Sequence, residues 1–233
     1  MEFKGSSFLF LIKNKKIKMR KPIICANNIK NNNFLGFLED FRKICPHARF
    51  IKGKLRNNFL PSIKYFLSHE ENQVVFFFEY KKKKNCLWIA NFPNDPLFCF
   101  EIENILQFKH FFFLGNILKW ARPLILFDTY FEKKPHLKII KRIFECFFSI
   151  KNRSKNILAL IDHVLSFCFF QNKIWFRVFQ IKFSKIKING KNRKIDQLIE
   201  VGPRMTLIPK RGWSNSNKEN LIYDSTVFNT LFY

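Results

Sequence analysis

The feature that most constrains the fold of this chain is an internal repeat, because the same series of elements is predicted twice, about 100 residues apart. The first copy opens with an apolar strand at Lys21-Pro22-Ile23-Ile24, and the second opens with Arg122-Pro123-Leu124-Ile125. In each copy an amphipathic helix, a β-hairpin and a closing strand follow. Two similar units of this kind predict an α+β fold with two pseudo-two-fold related lobes, at about residues 20–110 and 115–211.

The helix of each copy is predicted from apolar residues at helical spacing. The first runs from Phe34 to Cys45, before Pro46, which ends it, and the second covers Leu137–Ile150. Their inner faces are apolar, with Phe34, Leu35, Leu38, Phe41, Ile44 and Cys45 in the first and Leu137, Ile140, Phe144, Phe147 and Phe148 in the second. The charged residues expected on the outside are Glu39, Asp40, Arg42, Lys43, Lys138, Lys141, Arg142 and Glu145.

The hairpin of each copy is predicted from two apolar runs around a polar turn. The four strands are Val74–Tyr80, Cys86–Phe92, Val164–Phe170 and Ile174–Ile181. We expect Trp88 and Trp175 to occupy equivalent places in the two hairpins and to be largely buried. Leu97–Ile105 is predicted to close the first copy.

The second copy closes with two short strands, Leu198–Val201 and Met205–Ile208, which are separated by Gly202 and Pro203. Glycine gives the backbone freedom at this point, whereas proline fixes φ and donates no hydrogen bond, so we expect a bend. Arg204 lies at the bend, and two roles are open for it. It either clamps the structure by bonding a carboxylate such as Glu200, or it reaches an RNA phosphate together with Lys210 and Arg211.

The flanking and connecting segments are polar. Residues 1–19 form a basic extension, Ser184–Asp196 is predicted to be a mobile Lys/Asn-rich loop, and residues 212–233 are predicted to be irregular. The Phe8–Ile12 run is too short for a signal sequence or a membrane span, so we expect no membrane insertion.

The charge of the chain favours a polyanionic partner, because the formal net charge is +25 and the pI is about 10.0. An A+T-rich genome also raises the Lys, Asn, Ile and Phe content, so charge alone does not identify the partner. A run of lysines at a hairpin tip is more often a solvated loop than a binding site. The residues predicted to contact RNA are Lys81, Lys82, Lys83, Lys84, Lys119, Arg122, Lys210 and Arg211.

The sequence contains no persuasive catalytic set. No G-x-G-x-x-G or G-K-[ST] pattern occurs, and no histidine has metal-ligand spacing to another ligand. Asp162-His163 lacks an accompanying nucleophile elbow, so we expect His163 to be a histidine satisfied by the backbone. The six cysteines show no zinc or disulfide pattern and are interpreted as reduced core thiols. We therefore predict a protein without catalytic residues, cofactor, metal or small-molecule substrate.

A series of short motifs occurs in the order that is typical of one protein family. They are Pro46-His47, Leu87-Trp88, Phe92-Pro93-Asn94, Gly115-Asn116, Leu118-Lys119, Arg122-Pro123-Leu124, Phe127-Asp128, Asp162-His163-Val164, Ile174-Trp175-Phe176-Arg177 and Ile199-Glu200-Val201-Gly202-Pro203-Arg204. In this series the chain resembles the Brix domain family of ribosome-assembly factors, over about residues 20–211. Gly202, Pro203 and Arg204 correspond to the structural signature of that family.

The resemblance implies a two-lobed fold and a role in assembling the large (60S) ribosomal subunit. It further implies binding to large-subunit precursor rRNA, location in the nucleus and nucleolus, and association with other pre-60S assembly factors. An alternative is a protein-interaction scaffold within a pre-ribosomal particle, whose apolar edge strands pair with a partner and which makes little direct contact with RNA.

Overall fold

The computed structural model describes residues 21–27, 31–52, 73–81, 83–92, 96–111, 117–119, 121–149, 161–184, 194–213 and 221–225. The strands are β1 (Ile23–Asn27), β2 (Arg49–Lys52), β3 (Gln73–Lys81), β4 (Lys84–Phe92), β5 (Leu97–Leu106), β6 (Arg122–Phe127), β7 (Ile161–Phe170), β8 (Lys173–Ser184), β9 (Lys194–Glu200), β10 (Arg204–Trp213) and β11 (Leu221–Asp224). The helices are α1 (Asn32–Ile44), α2 (Tyr130–Lys133) and α3 (Pro135–Phe148), with a 3₁₀ turn at Phe108–His110.

The sheet confirms the predicted repeat. In the first half of the fold (residues 21–111) β1 pairs in parallel with β3, and β3, β4 and β5 pair antiparallel. In the second half (residues 117–213) β6 pairs in parallel with β7, and β7, β8 and β10 pair antiparallel. The closing strands β5 and β10 pair antiparallel with each other and join the halves into one sheet of order β2-β1-β3-β4-β5-β10-β8-β7-β6. The fold is therefore α+β, with two lobes related by a pseudo-two-fold axis between β5 and β10.

The two tryptophans lie on equivalent strands, although not at equivalent distances from the turn. Trp88 of β4 is paired with Phe77, and Trp175 of β8 is paired with Cys168. Trp88 lies four residues into its strand, whereas Trp175 lies two residues into its own. Both tryptophans are largely, although not fully, buried as predicted: Trp88 packs against a small apolar cluster that includes Val75 and Phe77, and the indole nitrogen of Trp175 is buried.

Both main helices pack on one face of the sheet, and a single apolar core fills the space between. The rings of Phe76 from β3 and Phe147 from α3 stack with their centroids 3.6 Å apart, and Phe41 of α1 also lies against Phe147, at 6.4 Å. Each fully buried phenylalanine contributes roughly 1.5–3 kcal/mol through removal of its surface from water. Because α1, β3 and α3 share these contacts, the core is continuous across the two halves.

One helix residue departs from the predicted pattern. Asp40 was expected on the outside of α1, but it is buried, with 7% of its surface exposed. Its carboxylate accepts bonds from the Phe108 backbone N–H, at 2.9 Å, and from the Lys43 ammonium group, at 2.8 Å. These bonds compensate the burial of the charge, since a buried carboxylate without partners is strongly unfavourable. The outward positions of Arg42, Lys43, Lys138 and Arg142 are confirmed.

Several segments differ from the sequence-based expectation. The C-terminal region was predicted to be irregular, but Leu221–Asp224 forms β11 against β10. Lys194–Asp196 belongs to β9 rather than to a loop, because it continues the antiparallel pairing with β8. The rest of the predicted loop, residues 185–193, and the basic extension at residues 1–19 lie outside the described residues. No helix in the described part of the chain is long and apolar enough to cross a membrane.

Candidate nucleic-acid interface

The basic hairpin tip and β10 meet on the face of the sheet opposite α1 and α3, here called the second face. Glu101 of β5 lies on it, because its neighbours Phe100 and Ile102 point into the core on the other side. The Lys84 ammonium group lies 2.8 Å from one Glu101 carboxylate oxygen, and the Lys210 ammonium group lies 2.9 Å from the other. Two predicted RNA contacts are thus brought together by one carboxylate.

The protonation of this cluster follows from its geometry. Burial alone raises the pKa of Glu101, but the bonds from Lys84 and Lys210 outweigh it and hold the pKa below its usual value. The same contact raises the pKa of Lys84. Glu101 therefore stays ionised and fixes both ammonium groups, and each ammonium group keeps N–H donors for a further acceptor.

The other residues of the predicted RNA-contacting set are distributed around the molecule. Lys83 is exposed in the β3–β4 turn with φ +63°. Arg211 bonds Asp224 of β11, with 3.1 Å between Nε and Oδ2. Lys119 and Arg122 are exposed, and neither forms an ion pair with a carboxylate of the described residues. Lys82 and the side chain of Lys81 lie outside the described residues.

A groove of about 710 Å³ brings Lys119 close to two cations that the sequence analysis did not select, Arg42 and Lys43. Its walls come from the C-terminal part of α1, from β2 and from the segment that leads into the second half. The Arg42 guanidinium lies over the Phe50 ring, 5.4 Å from its centroid. Helical spacing correctly placed Arg42 and Lys43 on the outside of α1, but no sequence pattern links them to Lys119.

Arg204 makes the contact that the clamp role requires. Its guanidinium donates two bonds to Glu200, with Nε–Oε1 at 2.7 Å and Nη2–Oε2 at 2.6 Å. This bidentate contact raises the pKa of Arg204. The guanidinium also lies over the ring of Phe111, 5.6 Å from the centroid. Arg204 thus ties β10 to the end of β9 and packs against the segment that leaves the first half.

Gly202 allows this arrangement at the bend. Its φ is +79°, a region that favours glycine, and an added Cβ would lie 2.3 Å from Cε2 of Phe111. Both the backbone angle and the approach of the aromatic ring therefore require a residue without a side chain at this position.

Other motif residues also bond to the backbone of distant segments. Nε2 of His47 lies 2.8 Å from the carbonyl oxygen of Phe147, so His47 joins the end of α1 to the end of α3. Burial lowers the pKa of His47, which fits a neutral ring that donates to this carbonyl. The Asp162 carboxylate accepts a bond from the Leu118 N–H, at 2.7 Å. The Asp128 carboxylate accepts from the first N–H of α2, at 2.9 Å, and from the backbone of β7.

His163, the histidine that the sequence analysis weighed as a member of a triad, has an apolar environment. His163 is buried, and neither of its ring nitrogens has a hydrogen-bond partner, so the expectation that the backbone satisfies it is wrong. Burial lowers the pKa of His163, and the charge of Asp162 opposes this only in part. Throughout the described ranges, no group of three His, Cys, Asp or Glu side chains is placed to hold a metal ion.

Comparison with known proteins agrees with the motif series. The Brix domain family matches residues 28–211. The Saccharomyces cerevisiae ribosome biogenesis protein BRX1 is 30% identical over 193 residues, which cover 82% of this chain and 66% of that protein. The Homo sapiens ribosome biogenesis protein BRX1 homolog is 31% identical over 171 residues, which cover 73% of this chain and 46% of that protein.

The chain spans about half to two-thirds of the length of the curated relatives it matches. Among solved structures, a probable ribosomal biogenesis protein from Aeropyrum pernix K1 aligns with a TM-score of 0.45 and 8% identity, covering 80% of this chain and 94% of that chain. From the match over residues 28–211 and the relatives of about 30% identity, we conclude that the chain belongs to the Brix domain family.

Proposed function

We propose that this protein is a ribosome biogenesis factor that binds precursor rRNA during assembly of the large (60S) subunit. The observation that carries the assembly role is the similarity to ribosome biogenesis proteins BRX1 over most of the chain. The net charge of +25 supports binding to RNA, because this excess of cations favours a polyanion. The proposed place of action is the nucleolus, in a pre-60S particle that contains other assembly factors.

The proposed mechanism is positioning, without catalysis. Lysine and arginine side chains neutralise phosphates and fix the orientation of the RNA, but such contacts do not read base sequence. Glu101 holds Lys84 and Lys210 at a fixed separation on the second face, and the exposed Lys119 and Arg122 supply further cations elsewhere on the molecule, at the start of the second half. A folded precursor segment held at these points would keep its position while neighbouring segments assemble.

The salt dependence of binding tests this function. With about 4–8 phosphate contacts, counterion release predicts that a plot of log affinity against log salt has a slope of about −3 to −7 for fragments of large-subunit rRNA. Crosslinking of the protein to RNA in purified pre-60S particles should give covalent adducts with precursor rRNA. A slope near zero, together with an absence of crosslinks, would contradict RNA binding.

A second candidate function, a protein-interaction scaffold, is supported by the edge strand β6. Among the described strands β6 pairs only with β7, and its Leu124 and Leu126 side chains are 38% and 45% exposed. Unpaired strand edges with apolar side chains pair readily with extended segments of other proteins. Under this alternative, Leu126→Lys should release protein partners from the particle and leave the salt slope for RNA unchanged.

A further inference from the structure

The groove beside α1 differs from the Glu101 cluster and from the pair of Arg211 and Asp224 in how its cations are neutralised. Lys84 and Lys210 bond Glu101, and Arg211 bonds Asp224, so these three cations already have carboxylate partners. Arg42 and Lys119 line the groove, are exposed, and form no ion pair within the described residues. The groove therefore holds positive charge that the described part of the protein does not neutralise.

The third cation of the groove, Lys43, has a mainly structural role. Its ammonium group bonds the buried carboxylate of Asp40 at 2.8 Å and lies 5.6 Å from the centroid of the Phe108 ring. Glu39 is the one carboxylate among the described residues that line the groove. When the charge of Lys43 is counted as neutralised by Asp40, Arg42 and Lys119 remain opposite the single carboxylate of Glu39. The groove therefore keeps a positive potential.

The shape and lining of the groove favour a nucleotide chain without secondary structure. Its volume of about 710 Å³ lies within the range of ~300–1,000 Å³ that is typical of ligand-binding pockets. Pro46, Ala48, Phe50 and Ile117 supply apolar lining beside the charged residues. A concave site of this kind accepts the unstacked bases of a single strand, whereas the phosphates of a duplex lie on a convex surface.

Arg42 is arranged to contact both parts of a nucleotide. The Cζ atom of its guanidinium lies over the Phe50 ring, 5.4 Å from the centroid, and Arg42 is exposed. An exposed guanidinium stacks on a base or donates paired N–H groups to a phosphate. Lys119, from the segment that leads into the second half, supplies a second phosphate contact.

We propose that the groove lined by Arg42, Phe50 and Lys119 is a binding site for a single-stranded segment of RNA. This inference rests on the proposed function, since it assigns a site and a substrate class to the RNA binding suggested above. An RNA strand in the groove would contact α1 and β2 of the first half and the entrance to the second half at the same time. It would therefore hold the protein in one orientation on the precursor particle.

The test compares two double variants that remove equal charge. Arg42→Gln/Lys119→Gln removes two cations from the groove. Lys138→Gln/Arg142→Gln removes two exposed cations from α3, the pseudo-symmetric counterpart of α1. Binding of a fluorescein-labelled 12-nucleotide oligouridine and of a labelled 12-base-pair RNA duplex is measured by anisotropy between about 0.05 and 0.5 M salt.

Loss of two phosphate contacts is expected to make the salt slope for oligouridine shallower by about 1.4, at ~0.7 per contact with a single strand. If the variant and the parent bind equally at about 1 M salt, this slope makes the variant roughly 25-fold weaker than the parent at about 0.1 M salt. The α3 variant should change oligouridine affinity less than about threefold, since only long-range attraction is lost. Affinity for the duplex should fall equally in both variants.

The outcomes separate this inference from the proposed function. If the parent protein binds neither probe in a salt-dependent way, the proposed function and the inference both fail. Two results would overturn the inference alone while the parent binds RNA. In one, both variants lose the same affinity for oligouridine; in the other, the groove variant loses as much affinity for the duplex as for oligouridine.

A single substitution, Lys119→Glu, provides a second test in case the groove variant does not fold, because it changes one exposed residue. That change should weaken oligouridine binding at least as strongly as Lys119→Gln, and unchanged binding would overturn the inference.

Discussion

At the scale of single residues, the contact between Arg204 and Glu200 predicts a structural effect of substitution. Arg204→Ala would leave a carboxylate that is only 17% exposed with Arg177 as its remaining cation, 4.0 Å away. We expect the free energy of unfolding to fall by about 1–3 kcal/mol, because a largely buried acceptor loses two charge-assisted bonds. Urea unfolding measures this loss, and Arg204→Lys should restore only part of it because lysine cannot bond bidentately.

A matched control for that substitution is the neighbouring pair Lys210 and Arg211. The Lys210 and Arg211 side chains are more exposed than that of Arg204, at 41% and 57% against 27%, so solvent screens their ion pairs more strongly. Because Glu101 also keeps Lys84 as a partner, Lys210→Gln/Arg211→Gln should cost less unfolding free energy than Arg204→Ala and should weaken RNA binding. If Arg204→Ala folds as stably as the parent protein and loses RNA affinity, the clamp role is wrong.

The buried histidines predict that stability falls in mild acid. Burial, aided by the charge of Lys134, lowers the pKa of His136 to about 4, against about 6.5 in an unfolded chain. The folded state then binds fewer protons than the unfolded state, so the stability present above pH 6.5 is lost as the pH falls towards 4. Between pH 7.5 and 5.5 we expect His136 alone to account for about 1 kcal/mol of lost stability.

The measurement is urea unfolding at a series of pH values, with His136→Phe as the comparison. Phenylalanine keeps a ring against Tyr223, whose centroid lies 4.7 Å from that of His136, but it does not titrate. The variant should lose about 1 kcal/mol less than the parent over this pH range. Burial also lowers the pKa values of His47 and His163, so these two residues should account for the stability that the variant still loses in acid. An identical pH profile in the variant would show that His136 does not contribute.

Sequence patterns predicted the burial of a residue well where its own helix or strand determines its environment. They predicted it poorly where a second element, distant in the chain, supplies the contact. The inward positions of Phe41 and Phe147 follow from helical spacing within their own helices. Nothing near Asp40 in the sequence indicates that the Phe108 N–H covers it. Likewise, Lys84 and Lys210 are far apart in the chain, and only the register of β4, β5 and β10 brings both to Glu101.

At the scale of elements, the bend between β9 and β10 predicts a steric effect of Gly202→Ala. The positive φ and the close Phe111 ring both disfavour a side chain at this position. We expect a loss of roughly 1–3 kcal/mol in unfolding free energy from the backbone angle and the clash together. In the double variant Gly202→Ala/Phe111→Ala, the clash is removed but the cost of the backbone angle remains. A double-mutant cycle should therefore show that the two losses in unfolding free energy are not additive. Strict additivity would mean that the ring does not restrict the glycine.

The elements themselves were predictable in proportion to the strength of their periodicity. The long helices and the two hairpins have clear apolar patterns over seven or more residues, and all of them are present. The four-residue strands β2 and β11 were missed, because so short a segment carries no period and forms only by pairing with β1 or β10. Pairing of this kind is a tertiary effect that local patterns do not contain.

At the scale of the whole molecule, the repeat in the sequence predicted two lobes, but it did not predict how closely they are joined. Phe41 of the first half lies 6.0 Å from Phe148 and 6.1 Å from Phe176, both in the second half. β5 and β10 also form the centre of one sheet. Since neither half covers its own apolar face without the helix and strands of the other, the two halves should fold as one cooperative unit.

Tryptophan fluorescence tests this cooperativity, because Trp88 reports on the first half and Trp175 on the second. Two proteins are compared, each of which keeps one of these tryptophans and has phenylalanine in place of the others. In each protein, the urea midpoint measured by fluorescence should equal the midpoint that circular dichroism gives for the whole fold, so that the two halves unfold together. Adding Phe147→Leu, a change in α3 of the second half, should cost roughly 1–2 kcal/mol by disturbing the stack with Phe76. That loss should lower the Trp88 midpoint as much as the Trp175 midpoint, although Trp88 lies in the other half. A shift confined to Trp175 would instead show that the halves unfold as separate domains.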